Sequence, residues 1–142
     1  MLETLKEKRY LNLVIVDELD IGPVLFRLYE HRIFHAIIKK GQRITMEHAL
    51  KGHEFLDRNG SGRFYNLYEF ESFAEMDPEV RIWAAETSGN NYTFLDAVVI
   101  NNVAQKIIAN FYLKFNKPDM PTKIFPSTDK ALDWIFSEIE RK

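Results

Sequence analysis

The sequence predicts an α/β fold, a mixed, mostly parallel sheet of about five strands with four helices in the order ββαβαβαβα. Three observations predict it. Two β-branched and aromatic runs, "PVLFRLYE" and "RIFHAIIKK", are joined by the short "EHR" and read as a hairpin. Downstream, short apolar runs alternate with longer stretches of helical period, as strands linked by crossover helices do. The 142 residues are one domain's worth, and 46% hydrophobic with 13% aromatic content fills a core without the disulfides that the lack of cysteine excludes.

The hairpin covers Pro23–Glu30 and Arg32–Lys40, with Gly41 ending its second strand and its first strand left as an edge open to pairing. In "RITMEHALKGHEFLDRNGSG" Thr45 is placed to cap a helix and Glu47 meets the positive end of its dipole. Met46, Ala49, Leu50, His53 and Leu56 share one face, and "RNGSG" stops the helix. Arg63–Phe70 is the third strand. "DPEVRIWAAET" is the second helix, with Asp77 as N-cap, Pro78 in the first helical position and Glu79 in the first turn; "SGNN" breaks it. Leu95–Asn101 is a short buried strand. The third helix, "NVAQKIIANFYLKF", follows at once, with Val103, Ala104, Ile107, Ile108, Phe111 and Phe115 in helical spacing. After the loop "NKPDMP" come a fifth strand, "TKIFP", and a last helix capped by Ser127 or Thr128, with Ala131, Leu132, Ile135, Phe136 and Ile139 inward. Residues 1–21 read as an N-terminal extension, an extra strand or a packing tail, and residues 22–142 as the domain.

Three stretches carry a family resemblance: "GQRITMEHA" (Gly41–Ala49), "DPEVR" (Asp77–Arg81) and the long "ANFYLKFNKPDMPTKIF" (Ala109–Phe125). With the element order they resemble the STAS, or SpoIIAA-like, fold of anti-sigma-factor antagonists, and within it a group of uncharacterised bacterial STAS-like proteins. The resemblance covers Gly22 to the C-terminus. It implies the fold and carries over no activity. Classical STAS regulators place a phosphorylatable serine in a D-S-S-G motif at the start of the second helix. With Asp77 on the motif's Asp, Pro78, Glu79 and Val80 stand where Ser-Ser-Gly would be, so the resemblance implies a fixed charge in place of a phospho-switch.

In open α/β sheets ligands gather beyond the carboxyl ends of the strands. Loops there carry Glu71, Ser72, Asp77, Glu79, Asn101, Asn102, Ser127 and Thr128, the candidate binding edge. "NFYLKF" is apolar on more than one face, which makes Tyr112 and Leu113 a candidate surface for a homodimer. A metal site is not expected: His31 and His35 would stand ~13 Å apart on a strand, and His48 and His53 diverge by ~140° on a helix. His53 reads as a core-rim residue and His48 as a solvated one. "NGSGR" follows a helix and precedes a strand, the reverse of a phosphate loop.

Charges are interspersed, 19 basic and 21 acidic for a net −2, with no basic stripe, so nucleic acid is an unexpected partner. No apolar run approaches a membrane span and the first residues lack a signal's apolar core, which makes a cytoplasmic protein the default. No catalytic residues stand out and no cofactor is expected. The reading favoured by sequence is a non-enzymatic STAS-like regulatory or protein-interaction module binding an unknown protein partner. The alternative is a small-molecule or lipid-binding carrier, for which the aromatic content suits a hydrophobic pocket.

Overall fold

In the computed structural model, which describes residues 12–60, 62–86 and 91–141, the predicted hairpin gains a partner on its outer side. β1 (Ile15–Asp20) pairs antiparallel with β2 (Val24–Tyr29), which pairs antiparallel with β3 (Ile33–Ile38). The sheet therefore has six strands rather than five, and the hairpin's first strand is interior rather than an edge. Asp17 helps hold β1 against the body of the domain. Its carboxylate accepts from Arg58 Nε and Nη2 (2.8 and 2.9 Å) and from Asn59 Nδ2 (2.8 Å). The bond from Arg58 leads in holding the Asp17 carboxyl down at about 2. The turn between β2 and β3 forces His31 and Arg32 into left-handed backbone, φ 66° and 60°. That conformation costs a non-glycine residue roughly 1–2 kcal/mol. Arg32 recovers part of this: its Nε donates to the Arg63 carbonyl at 2.7 Å and its guanidinium lies 3.9 Å over the Phe64 ring.

After β3 come β4 (Arg43–Ile44), α1 (Met46–Asp57), β5 (Phe64–Phe70), β6 (Glu75–Met76), α2 (Pro78–Ala85), β7 (Thr93–Val99), α3 (Val103–Phe111), β8 (Thr122–Phe125) and α4 (Thr128–Glu140). β3, β5, β7 and β8 are parallel, and the sheet order is β1-β2-β3-β5-β7-β8. The sequence reading did not foresee β4 and β6, a two-residue parallel pair beside the main sheet.

Every crossover steps the same way along the sheet. Right-handed crossovers that all step one way put their helices on one face, and α1, α2 and α3 share a face. Among the described helices α4 covers the other face, where Ile33, Leu67, Ala97, Ala131 and Ile135 are fully buried. On the three-helix face Phe26, Phe34 and Phe55 form a tilted cluster with ring centres 5.7–5.9 Å apart. Gly52, inside α1, lies over Phe26: a Cβ there would touch the ring at 3.5 Å.

Helical phase differs from expectation in two places. In α1, Leu50 points to solvent and Phe55 takes the buried position. In α3, Val103, Ile107, Ile108 and Phe111 stay exposed, as does Phe115 just beyond it, and the inward residue is Gln105. The reason is polar. The Gln105 amide donates to the carbonyls of Glu71 (2.8 Å) and Ala74 (3.0 Å) and accepts from the Asn101 N–H (2.6 Å). Turning it outward would strand those buried groups. A π-helical turn, Tyr112–Asn116, follows α3, with Phe111 and Phe115 stacked at 4.4 Å.

Candidate functional site

Between the three-helix face of the sheet and α1, α2 and α3 lies a cavity of about 170 Å³. Its walls are mainly apolar and aromatic. β2 and β3 contribute Phe26 and Phe34, β5 contributes Tyr68, α2 contributes Trp83, and the π turn contributes Tyr112. Tyr92 and His53 close one side, stacked at 4.0 Å, with Trp83 4.7 Å from the same imidazole. Burial among these rings lowers the His53 pKa, against the opposing pull of Asp57. Tyr68 and Tyr112 have hydroxyls pushed above the usual tyrosine range, first by burial and then by the Asp96 charge.

Among the polar side chains that line this space, two from the sheet floor are paired. Asn66 on β5 and Asp96 on β7 are cross-strand partners in register, so both point to the same face. Asn66 is 1% exposed and Asp96 6%. The Asn66 amide nitrogen donates to Thr93 Oγ1 (2.9 Å) and to Asp96 Oδ1 (3.1 Å), while its Oδ1 has no partner. Burial pushes the Asp96 carboxyl up to about 6, and the bond from Asn66 only partly offsets this. The site thus offers two hydrogen-bond acceptors, one ionisable, in a ring-lined pocket.

The edge foreseen from sequence comes together in part. Glu71, Ser72, Asn101, Ser127 and Thr128 line one open hollow of about 430 Å³ at the carboxyl ends of the strands. Ser72 donates to Asn101 at 2.9 Å, and Ser127 caps α4 through the Lys130 N–H at 3.3 Å. Asn102 stands beside them and caps α3 through the Gln105 N–H. Asp77 and Glu79 lie outside this hollow. The Asp77 carboxylate faces Arg43 at 3.1 Å and makes no hydrogen bond to α2, so it is not a side-chain cap; the helix begins on Pro78 and the Asp77 carbonyl. Glu79 is exposed in the first turn. The hollow is wider than the cavity but shallow, because strand order never reverses here and no crevice opens between diverging crossovers.

Tyr112 and Leu113, read as a dimer surface, are partly buried and line the cavity; the apolar face left outside belongs to Val103, Ile107, Phe111 and Phe115. His48 is not simply solvated: its Nδ1 accepts the Thr45 N–H at 3.1 Å and closes a capping box. His35 is fully buried on the α4 face. Its Nδ1 meets the Tyr29 hydroxyl and its Nε2 meets Glu69 Oε1, both at 2.9 Å, and Thr128 also donates to that oxygen. Among the described residues no group of His, Asp and Glu has metal-binding geometry, and no helix is long and apolar enough to cross a membrane. The sequence reading passed over Asn66 and Asp96. The available signal was an acid inside "FLDAVV" and an amide inside "FYNLY", each flanked by residues that must be buried.

No curated protein matches the sequence. Among solved structures, the chain is similar to an uncharacterised protein of the DUF3478 family with a SpoIIAA-like fold from Shewanella loihica PV-4. The two are 12% identical, the match covers 86% of this chain and 94% of that one, and the TM-score is 0.47. A family described as "Domain of unknown function (DUF7793)" matches residues 27–137, and the chain belongs to it.

Proposed function

We propose that this domain is a non-enzymatic small-molecule-binding module whose ligand occupies the cavity beneath α1, α2 and α3. One observation carries the reading: an aromatic-lined space of about 170 Å³ contains a nearly fully buried amide whose oxygen has no partner. Buried polar atoms are nearly always satisfied, and apolar pockets with a few convergent polar groups are the usual form of a ligand site. The volume suits one ring with a short substituent better than a long acyl chain; a dry apolar cavity of about 150 Å³ holds benzene. Catalysis is not invoked, because among the described residues the histidine–carboxylate pair of buried His35 and half-buried Glu69 lies on the opposite face with both ring nitrogens engaged.

The test is a thermal-shift screen of ring-sized fragments, run in parallel on Ala109→Phe, which fills the cavity wall. Fragments should raise the wild-type Tm and leave the filled variant unmoved. Failure of every fragment on wild type, or equal shifts in both proteins, sinks the reading.

A second reading keeps the strand-end hollow as a protein-interaction surface, because five of the eight residues expected there line it together. Ser72→Arg with Ser127→Arg should then abolish capture of a partner while leaving fragment binding intact. Unchanged capture removes this reading.

A further inference from the structure

We propose that the cavity takes a small organic cation, a protonated amine on an aromatic or short aliphatic body, with its nitrogen held between the Asp96 carboxylate and the Asn66 amide oxygen. This rests on the small-molecule reading above and names the ligand's chemistry.

Three observations point to a cation. Asp96 is a buried carboxylate without a counter-charge: among the described residues Asn66 alone hydrogen-bonds it, at Oδ1. Arg81, the guanidinium on the cavity wall, donates instead to the Met76 carbonyl at 2.7 Å. A buried charge without an ionic partner is costly, and a bound cation supplies what is missing. Second, the unpartnered group beside it, Asn66 Oδ1, is also an acceptor. An ammonium has three donors and satisfies both sites at once, a hydroxyl has one donor, and a carboxylate ligand would meet like charge. Third, the walls are rich in aromatic rings, Phe26, Phe34, Tyr68, Trp83 and Tyr112 among them, and aromatic rings attract cations over neutral ligands of the same shape.

Occupation by a cation couples to pH. The groups around Asp96 are Asn66 and Tyr68 on β5 and Tyr112 after α3; His48 and His53 from α1, Glu75 from β6 and Arg81 from α2 line the same cavity. Below about pH 6 Asp96 takes up its proton and the attraction is lost, so amine affinity falls as pH drops. His53, gaining charge in the same direction, opposes the cation further; Asp96→Asn separates the two contributions.

Trp83 lines the cavity while the second tryptophan, Trp134, packs against Phe125 on the α4 face. Trp134 Nε1 makes no hydrogen bond, so Trp134→Phe leaves Trp83 as sole reporter without stranding a partner. In that background benzylamine, benzyl alcohol and benzoate are titrated at pH 7.5 by tryptophan fluorescence, with and without Asp96→Asn. Benzylamine should bind at least tenfold more tightly than the alcohol, with benzoate weakest, and Asp96→Asn should erase the amine's advantage. An alcohol or benzoate that binds as well as the amine, or an advantage that survives Asp96→Asn, overturns the cation assignment and leaves the cavity reading standing. No response to any probe, with benzylamine unable to raise the wild-type Tm at millimolar concentration, overturns both. The wild-type probe comparison and its pH dependence need no substitution at Asp96, so a poorly folded variant does not shield the proposal.

Discussion

His35 and Asp96 sit on opposite faces of one sheet, both buried, both ionisable, and their surroundings differ in one respect. On the α4 face each ring nitrogen of His35 has a partner, and Ala131, Leu132 and Ile135 pack buried against the sheet beside it. On the three-helix face Asp96 and Asn66 border a cavity, and the amide oxygen is left open. A satisfied buried polar group adds specificity to a core; an unsatisfied one beside empty space is tolerated only where something else completes it. The contrast also sets the direction of titration. Glu69, held by the hydrogen bond from His35, has its pKa lowered, so its contribution is present above the ordinary carboxylate range and fades as pH falls. Asp96 has its pKa raised, so its contribution is full below about 4 and is lost as pH rises through about 6.

The largest test of this contrast is His35→Ala. It removes one hydrogen bond each from the Tyr29 hydroxyl and the Glu69 carboxylate and opens a void under α4, at a cost of about 4 kcal/mol, read as a drop in the urea midpoint. A loss under about 1 kcal/mol would mean the α4 face is no better satisfied than the other. Next is Asp96→Asn. The rise from 3.8 to about 6 corresponds to roughly 3 kcal/mol, so wild-type stability should decline between pH 4 and 6 and the variant should lose that decline. If chemical denaturation shows parallel pH profiles, Asp96 is not desolvated. Ala109→Leu, extending into the cavity, should stabilise by about 1 kcal/mol, whereas Ala131→Leu on the filled α4 face should destabilise by roughly 1–3 kcal/mol; thermal melts that move together would break the comparison. The smallest effect is at the caps. Asn102→Gly on α3 and Ser127→Gly on α4 should each cost a few tenths of a kcal/mol, with hydrogen exchange rising more in α3, whose apolar residues lie largely exposed.

Much of the fold was legible because it is written in local patterns. Thr45, Asn102 and Ser127 cap helices as their types suggest, and the strand runs fall where β-branched and aromatic residues cluster. Helical phase was harder. The apolar residues of α3 gave a strong periodicity, yet Gln105 decides which side faces in, through carbonyls more than thirty residues away that no local pattern encodes. Asp77 shows the limit of a motif. Asp-Pro-Glu is a good helix start, but Arg43 from a distant strand claims the carboxylate. The candidate edge was placed by a rule for sheets whose strand order reverses, and here it does not. The cavity depends on Asn66 and Asp96 meeting across β5 and β7, a register known only once the strands are paired.

The unidirectional strand order also bears on how the chain assembles. No strand has to wedge between two already in place: each of β2, β3, β5, β7 and β8 adds to the growing edge left by the strand before it. The sheet can therefore be laid down in the order in which the chain is synthesised, one crossover at a time. α4 is the exception. It is the last described element, yet it covers Leu67 and Ala97 at the middle of the sheet. A chain stopped at Pro126 would have its described strands ready to pair but Leu67 and Ala97 without the cover of Ala131, Leu132 and Ile135, so docking of α4 is the step that seals this apolar face.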